Sequence, residues 1–144
     1  MRLYVESSAV LAALLGEPAG ERARRIMAAS EILITSELTL IECDRALHRA
    51  VALKKLAEPD AMERRALLAL AASAWGLLKI SDQVVERARE PFPGDPIRAL
   101  DAIHLASALV TRSGVAGLQI LTLDDRIRSS ARLLGFPIQP VEAS

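Results

Sequence analysis

The sequence predicts an α/β fold: a three-layer α/β/α arrangement around a mostly parallel sheet of four to five strands. Short apolar runs alternate along the chain with longer segments rich in alanine, leucine and charged residues. This alternation favours right-handed crossovers and a parallel sheet covered on both faces. Since 144 residues is an ordinary length for one domain, we expect a single domain spanning residues 1–144.

The predicted strands are short, mostly apolar, and bounded by polar or turn-forming residues. They cover residues 3–5, 32–35, 77–80 and 119–122, with a last strand near 137–141. The intervening segments have the composition of helices. These cover residues 9–15, 19–29, 37–53, 59–74, 82–90 and 97–112, with a last helix that ends near 134.

Capping residues support several of these helix boundaries. Ser36, Ser81 and Asp95 are predicted N-caps, because a short polar side chain can accept a hydrogen bond from an unpaired amide of the first turn. Pro59 and Pro96 occupy first-turn positions, where the missing amide hydrogen costs nothing.

The composition excludes some classes of function. The formal net charge is zero, so the chain does not bind nucleic acid through a general positive surface, and any such contact must be local. Aromatic residues are only 3% of the chain, which disfavours a base-stacking platform.

Cellular setting is also constrained by the sequence. No apolar run approaches the roughly 20 residues needed to span a bilayer, and the chain opens directly on the first predicted strand. The single cysteine, Cys43, cannot form an internal disulfide. We therefore expect a cytoplasmic protein with no membrane contact.

Two acidic residues follow predicted strands of the sheet. Glu6 comes directly after the first strand, and Asp124 comes shortly after the fourth. In open parallel sheets ligands bind beyond the carboxyl ends of the strands, so both side chains are candidate site residues. Alternatively, each carboxylate caps the helix that follows it or complements that helix's dipole.

Asp101 is notable for the helix face on which it lies. On a helical wheel it shares a face with apolar Ile97, Leu105 and Ala108, and an unpaired buried carboxylate is costly. Such acids are enriched at functional sites, although a partly exposed aspartate near a helix start is also common.

Glu42 carries the weakest signal of its own. It lies at the edge of its helix, away from the main apolar stripe, with Arg45 and Arg49 near enough to pair with it. A solvated glutamate is the usual explanation for such a position.

Other chemistry is scarce in this sequence. His104 on its apolar face is typical of a satisfied core histidine, His48 of a surface one, and Cys43 of a small buried hydrophobe. No nucleophile elbow and no phosphate-binding glycine loop is present. Carboxylates remain, and sites built only of oxygen ligands suit Mg²⁺ (or Mn²⁺) better than zinc.

Four segments in order resemble the PIN-domain nucleases, in particular the VapC-like toxins of toxin-antitoxin pairs. The segments are residues 3–11 (LYVESSAVL), 35–42 (TSELTLIE), 98–106 (RALDAIHLA) and 121–124 (LTLD), with 131–137 (ARLLGFP) behind the last. The third segment is the most specific of the four, and together they span nearly the whole chain.

The resemblance implies roles for particular residues. It implies that Glu6, Glu42, Asp101 and Asp124 form an acidic quartet that binds Mg²⁺ or Mn²⁺ and hydrolyses RNA, with Ser8 and Thr122 as supporting hydroxyls. Four neighbouring acids repel, so at least one should have a raised pKa without metal. The family most often has aspartate where this chain has Glu6, which places the carboxylate one methylene further out.

Partners are also implied by the resemblance. Besides an RNA substrate, it implies a cognate antitoxin protein that covers the acidic end. Arg45, Arg49 and Arg98 are candidate contacts to the RNA backbone, because they lie within about two helical turns of the proposed acids. The hydrophobic richness of residues 61–74 suggests a helix that buries surface in a homodimer.

Two other functions compete with the nuclease. The first is a PIN-like fold that has lost catalysis and serves as a binding or assembly module. In that case Glu6, in place of the usual aspartate, would mark the loss of activity. An α/β domain whose acids only cap helices is the plainest alternative. Metal-dependent cleavage that Asp101→Asn abolishes would favour the nuclease over both.

Overall fold

The computed structural model describes residues 1–94 and 96–142 of the chain. Its strands are β1 (Arg2–Val5), β2 (Ile32–Ser36), β3 (Gly76–Leu78), β4 (Leu118–Leu121) and β5 (Ile138–Gln139). Its helices are α1 (Ser7–Leu15), α2 (Gly20–Ala29), α3 (Glu37–Ala52), α4 (Glu58–Ala72), α5 (Asp82–Ala88), α6 (Ala99–Arg112) and α7 (Asp125–Leu133). The α/β class is confirmed.

The five strands form one parallel sheet in the order β3-β2-β1-β4-β5. The chain moves from β1 outward to β2 and β3, and then returns to the other side of β1 to form β4 and β5. The strand order therefore reverses between β1 and β4. Ligand sites in open parallel sheets form at such a reversal, at the carboxyl ends of the two strands.

Alternating residues of β1 face two separate cores. Leu3 and Val5 pack with side chains of α1 to α4, whereas Tyr4 packs on the opposite face with side chains of α6 and α7. This is the period-two pattern of a strand that is covered on both sides. The predicted three-layer arrangement follows from it.

Several helix boundaries agree with the sequence, because their caps are local. Ser36 accepts a hydrogen bond from the Leu38 amide at the start of α3, and Ser81 accepts one from the Val84 amide at the start of α5. A proline lies in the first turn of α4, as predicted from Pro59. Local hydrogen-bonding chemistry is sufficient to set such boundaries.

The predicted start of α6 at residue 97 is wrong. Pro96 and Ile97 are not helical, and the N-cap is Arg98, whose backbone is extended (φ −81°, ψ 164°). The predicted cap Asp95 lies outside the described residues. Two strands are also shorter than predicted, since β3 ends at Leu78 and β5 covers only Ile138–Gln139.

No helix among the described residues is long and apolar enough to cross a membrane.

Gly20, the first residue of α2, lies very close to the backbone of α1. A Cβ atom at this position would overlap the carbonyl group of Ala12. The glycine therefore permits α2 to pack directly on the helix that begins at the end of β1.

We expect Gly20→Ala to lower the free energy of unfolding by about 1–3 kcal/mol, because the added methyl group forces α1 and α2 apart. Urea denaturation followed by circular dichroism measures the change. Gly114→Ala is the matched control, since the nearest neighbour of its added Cβ would be the Thr111 carbonyl oxygen at 3.9 Å, an ordinary contact distance. Equal losses in the two variants would contradict the steric explanation.

Candidate active site

The carboxylate of Glu6 lies where β1 and β4 end side by side. The Glu6 amide donates to the Leu121 carbonyl at 2.9 Å, which continues the pairing of the two strands by one residue. Glu6 then ends the strand and caps α1 by accepting from the Ser8 amide. The side chain is only 5% exposed.

Both oxygens of Glu6 are fully used by hydrogen-bond donors. Oε1 accepts from the Ser7 hydroxyl at 2.7 Å and from the Ser8 amide at 3.1 Å. Oε2 accepts from the Thr122 hydroxyl at 2.7 Å and from the Ser8 hydroxyl. A carboxylate has about four acceptor positions, so this one has no position left.

Ser8 and Thr122 also connect Glu6 to the loop that follows β4. The Ser8 hydroxyl accepts from the Leu123 amide at 2.9 Å, and the Thr122 hydroxyl accepts from the Asp124 amide at 3.1 Å. Each hydroxyl donates a hydrogen bond to Glu6 and accepts one from the loop. The position of Asp124 therefore depends on Glu6.

Asp124 is the N-cap of α7. Its Oδ1 atom accepts from the amides of Arg126 (2.9 Å) and Ile127 (3.1 Å). This is the capping role that the sequence allowed as an alternative. The cap uses Oδ1 and leaves Oδ2 for another partner.

Asp101 lies in the first turn of α6 and is poorly compensated. Its side chain is 14% exposed, and its buried Oδ2 atom has no hydrogen-bond partner among the described residues. Burial raises the pKa of Asp101, and the negative charge of Asp124 raises it further. Glu6 adds to the same effect, while the nearby Arg98, with Nε 3.9 Å from Oδ2, opposes it.

Glu42, on α3, reaches a partner that the sequence did not suggest. Its Oε1 atom lies 2.6 Å from Nε2 of His104, and none of the described ion pairs joins Glu42 to Arg45 or Arg49. The prediction of a solvated Glu42 is therefore wrong. Its side chain is only 24% exposed and is held by His104 of α6.

His104 and Tyr4 complete the site, and both were missed as functional candidates. Nδ1 of His104 lies 2.9 Å from the Tyr4 hydroxyl, and both side chains are almost completely buried. His104 is a satisfied core histidine, as its apolar face suggested, but one of its partners is an acid of the proposed quartet. The available signal was its position one helical turn after Asp101, on the same face.

Other polar candidates lie outside this cluster. Arg45, Arg49 and His48 are exposed on α3, and the Arg98 side chain is 73% exposed. Burial raises the pKa of the Cys43 thiol to about 12, with the charge of Glu42 contributing, so it stays protonated and unreactive.

Comparison with known proteins agrees with this geometry. The PIN domain family matches residues 3–133, which include all four acids. The chain belongs to the PIN-domain family. It is 34% identical over 136 residues to Ribonuclease VapC46 of Mycobacterium tuberculosis (strain ATCC 25618 / H37Rv), covering 94% of this chain and 95% of that protein.

Solved structures of PIN-domain proteins have the same fold. VapC20 of Mycobacterium tuberculosis, described as a sarcin-ricin loop cleaving toxin, aligns with a TM-score of 0.64 at 17% identity, covering 93% of this chain and 95% of that one. VapBC2 from Rickettsia felis, bound to a DNA fragment from its promoter, aligns with a TM-score of 0.66 at 12% identity, covering 96% and 98%. The resemblance stated from the sequence is confirmed.

Carboxylate oxygens, the ligands that divalent cations prefer, are present at this edge of the sheet. Within residues 1–94 and 96–142, no group of three or more His, Cys, Asp or Glu side chains could hold a metal ion in its present orientation. The carboxylates instead bind hydroxyls, helix amides and His104. The buried Oδ2 atom of Asp101 lacks such a partner and fits a divalent cation, which prefers oxygen ligands.

A cavity of about 730 Å³ lies apart from the acids. It is formed between α1, α2 and α4, and none of the four acids is among its lining residues. Its lining residues include Leu14, Met27, Leu67 and Trp75, so it is largely apolar.

We expect Thr122→Val to lower the free energy of unfolding by about 1–3 kcal/mol, because it removes a donor to the buried Glu6 carboxylate and leaves the Asp124 amide without its acceptor. Chemical denaturation measures the loss. Thr122→Ser keeps the hydroxyl and should retain most of the stability. A Thr122→Val variant as stable as the original protein would show that Glu6 does not depend on this hydroxyl.

Asp101→Asn should make the metal-free protein more stable at neutral pH. The pKa of Asp101 in the folded protein lies above its ordinary value of 3.8, so the folded state binds this proton more tightly than the unfolded chain. Ionised Asp101 therefore destabilises the fold, and the effect develops as pH rises through the raised pKa.

Thermal unfolding in a chelator, measured across this range, tests the expectation. The stability advantage of Asp101→Asn should disappear as pH falls below 3.8, where both states of the original protein are protonated. Asp125→Asn, at an exposed carboxylate beside the site, is the control and should bring no such gain. An advantage that persists at low pH would have another cause than ionisation.

Proposed function

We propose that this PIN domain is a metal-dependent endoribonuclease that hydrolyses RNA phosphodiester bonds, and that it is the toxin of a VapBC-type toxin-antitoxin pair. The observation that carries the proposal is the unpartnered, buried oxygen of Asp101 beside the charges of Asp124 and Glu6. The similarity to a ribonuclease over nearly the whole chain supports the reaction class.

The acids would hold Mg²⁺ or Mn²⁺ at the carboxyl ends of β1 and β4. Asp101, Asp124 and Glu42 each have at least one oxygen outside the hydrogen bonds described above, whereas Glu6 would have to release a hydroxyl donor to become a ligand. When bound, the cation supplies an activated water and neutralises charge that develops on the phosphate.

The residues of the chain contribute positioning and charge. Glu6 fixes the loop that carries Asp124 through the Ser8 and Thr122 hydroxyls. Asp101 supplies a carboxylate whose burial and acidic neighbours make the ionised form costly without a cation. The contacts of Glu6 fix the loop that carries Asp124 in the absence of substrate, and hydrolysis by positioning depends on such preorganised groups.

RNA would approach along the exposed basic side chains near the acids. Arg45 and Arg49 lie one and two turns beyond Glu42 on α3, and Arg98 caps α6 next to Asp101. Arginine at such positions suits contacts to phosphate oxygens rather than to bases. We propose these three residues as backbone contacts.

We also propose two protein partners and a cytoplasmic location. A cognate antitoxin would cover the acidic end, and the solved VapBC complexes with the same fold support an antitoxin partner of this kind. A homodimer is supported by the exposed apolar side chains of α4, namely Met62, Leu67 and Leu70.

An inactive PIN-like binding or assembly module is the second candidate. The observation that favours it is the saturation of Glu6, whose four hydrogen bonds compete with any role as a ligand. This alternative predicts correct folding, no RNA cleavage and no affinity for divalent cations.

Cleavage of structured RNA by the purified protein should require Mg²⁺ or Mn²⁺ and should fall at least about 100-fold in Asp101→Asn, because the variant lacks a charged ligand. Gel analysis of labelled RNA, with and without a chelator, measures the rate. Asp125→Asn should cleave at close to the original rate. Activity that survives both the chelator and Asp101→Asn would exclude the proposed chemistry.

A further inference from the structure

A buried chain of hydrogen bonds runs from the centre of the sheet to Glu42. The Tyr4 hydroxyl is 2.9 Å from Nδ1 of His104, and Nε2 of His104 is 2.6 Å from Oε1 of Glu42. Tyr4 is 1% exposed and His104 is 2% exposed. The three residues belong to β1, α6 and α3, so the chain of contacts joins elements that are distant in sequence.

The first member of this chain is held rigidly. Tyr4 lies in the central strand, paired with Ile34 of β2 and Ile120 of β4, and packs in the core beneath α6. A long side chain near a helix surface, such as that of Glu42, has many rotamers and needs an external contact to keep one of them. His104 supplies that contact, and its own ring is held by the hydrogen bond with Tyr4.

The protons can be assigned from the chemistry of the partners. A carboxylate only accepts, so Nε2 of His104 must carry the hydrogen that Glu42 receives. Burial raises the pKa of Tyr4, which keeps its proton and can donate it to an unprotonated Nδ1. One neutral tautomer of His104, with hydrogen on Nε2, thereby satisfies both contacts.

The same contact sets the relation between two acids of the site. His104 lies one turn after Asp101 on α6, so the bond to Glu42 ties an acid on α3 to the helix that carries Asp101. The hydrogen bond with His104 uses Oε1 of Glu42, so Oε2 is left for a cation.

We propose that His104, oriented by Tyr4, is a positioning residue that holds Glu42 for metal binding. The role in metal binding rests on the function proposed above. The contact itself does not, and it can be tested without metal or RNA.

The tautomer is the first test. The chain has two histidines, and His48 is exposed, so His48→Gln leaves only the His104 signals in a ¹⁵N long-range correlation spectrum. We expect a protonated Nε2 and an unprotonated Nδ1 in the metal-free protein. Tyr4→Phe should shift the Nδ1 signal, and Glu42→Gln should shift the Nε2 signal. An Nε2 without hydrogen in the original protein, or signals unmoved by both variants, would overturn the proposal.

Mn²⁺ affinity is the second test, with paired substitutions at His104. His104→Phe keeps a ring but has no donor, whereas His104→Gln can place an amide nitrogen near the position of Nε2. Loss of a hydrogen-bond partner of a metal ligand commonly costs about 10–100-fold in affinity. We expect such a loss by calorimetry for His104→Phe, recovery to within about threefold of the original affinity for His104→Gln, and no change for His48→Gln.

The two proposals can fail separately in this experiment. Unchanged Mn²⁺ affinity in a folded His104→Phe variant, or equal losses in the Phe and Gln variants, would overturn the positioning role alone. An original protein that neither binds Mn²⁺ nor cleaves RNA, yet has the expected tautomer, would overturn the proposed nuclease and leave the His104 contact standing.

Discussion

The arrangement of the site depends on the four hydrogen bonds that converge on the Glu6 carboxylate. They join the end of β1, the first turn of α1 and the loop after β4. Two of the three hydroxyl donors, Ser8 and Thr122, in turn accept from the amides of that loop. Removing one member leaves other buried polar groups unpaired, so such a network acts as a unit. The glutamate is long enough to reach across to β4, which gives its additional methylene a structural use.

Three of the four acids of this PIN domain have contacts that stabilise the fold itself. Glu6 and Asp124 cap helices, and Glu42 accepts a hydrogen bond from a buried histidine, so three carboxylates are compensated without metal. Asp101 is the exception, since burial and like charge both oppose its ionisation. Uncompensated charge of this kind is costly to a fold and is enriched at functional sites. Among the four acids, the unfavourable burial of charge therefore falls on Asp101.

Much of the fold could be predicted because its signals are local. Ser36 and Ser81 cap their helices through hydrogen bonds within a few residues, and alternation along β1 distributes its side chains between two cores. The start of α6 could not be predicted in this way. A proline at position 96 is compatible with a first helical turn, but the backbone remains extended through Arg98. A polar residue followed by proline permits a helix start without requiring one.

The sequence by itself determined that Glu6 and Asp124 would lie at the same edge of the sheet, because the carboxyl ends of parallel strands lie together there. It also determined that Asp101 would lie on the apolar face of its helix, because helical periodicity is a local property. Only the tertiary structure decided that Glu42 would bind His104 and that His104 would bind Tyr4. Periodicity specifies the face on which a side chain lies, whereas its partner depends on how β1, α3 and α6 pack together. Glu42 had the weakest signal of the four acids in the sequence because its position depends on how these elements pack.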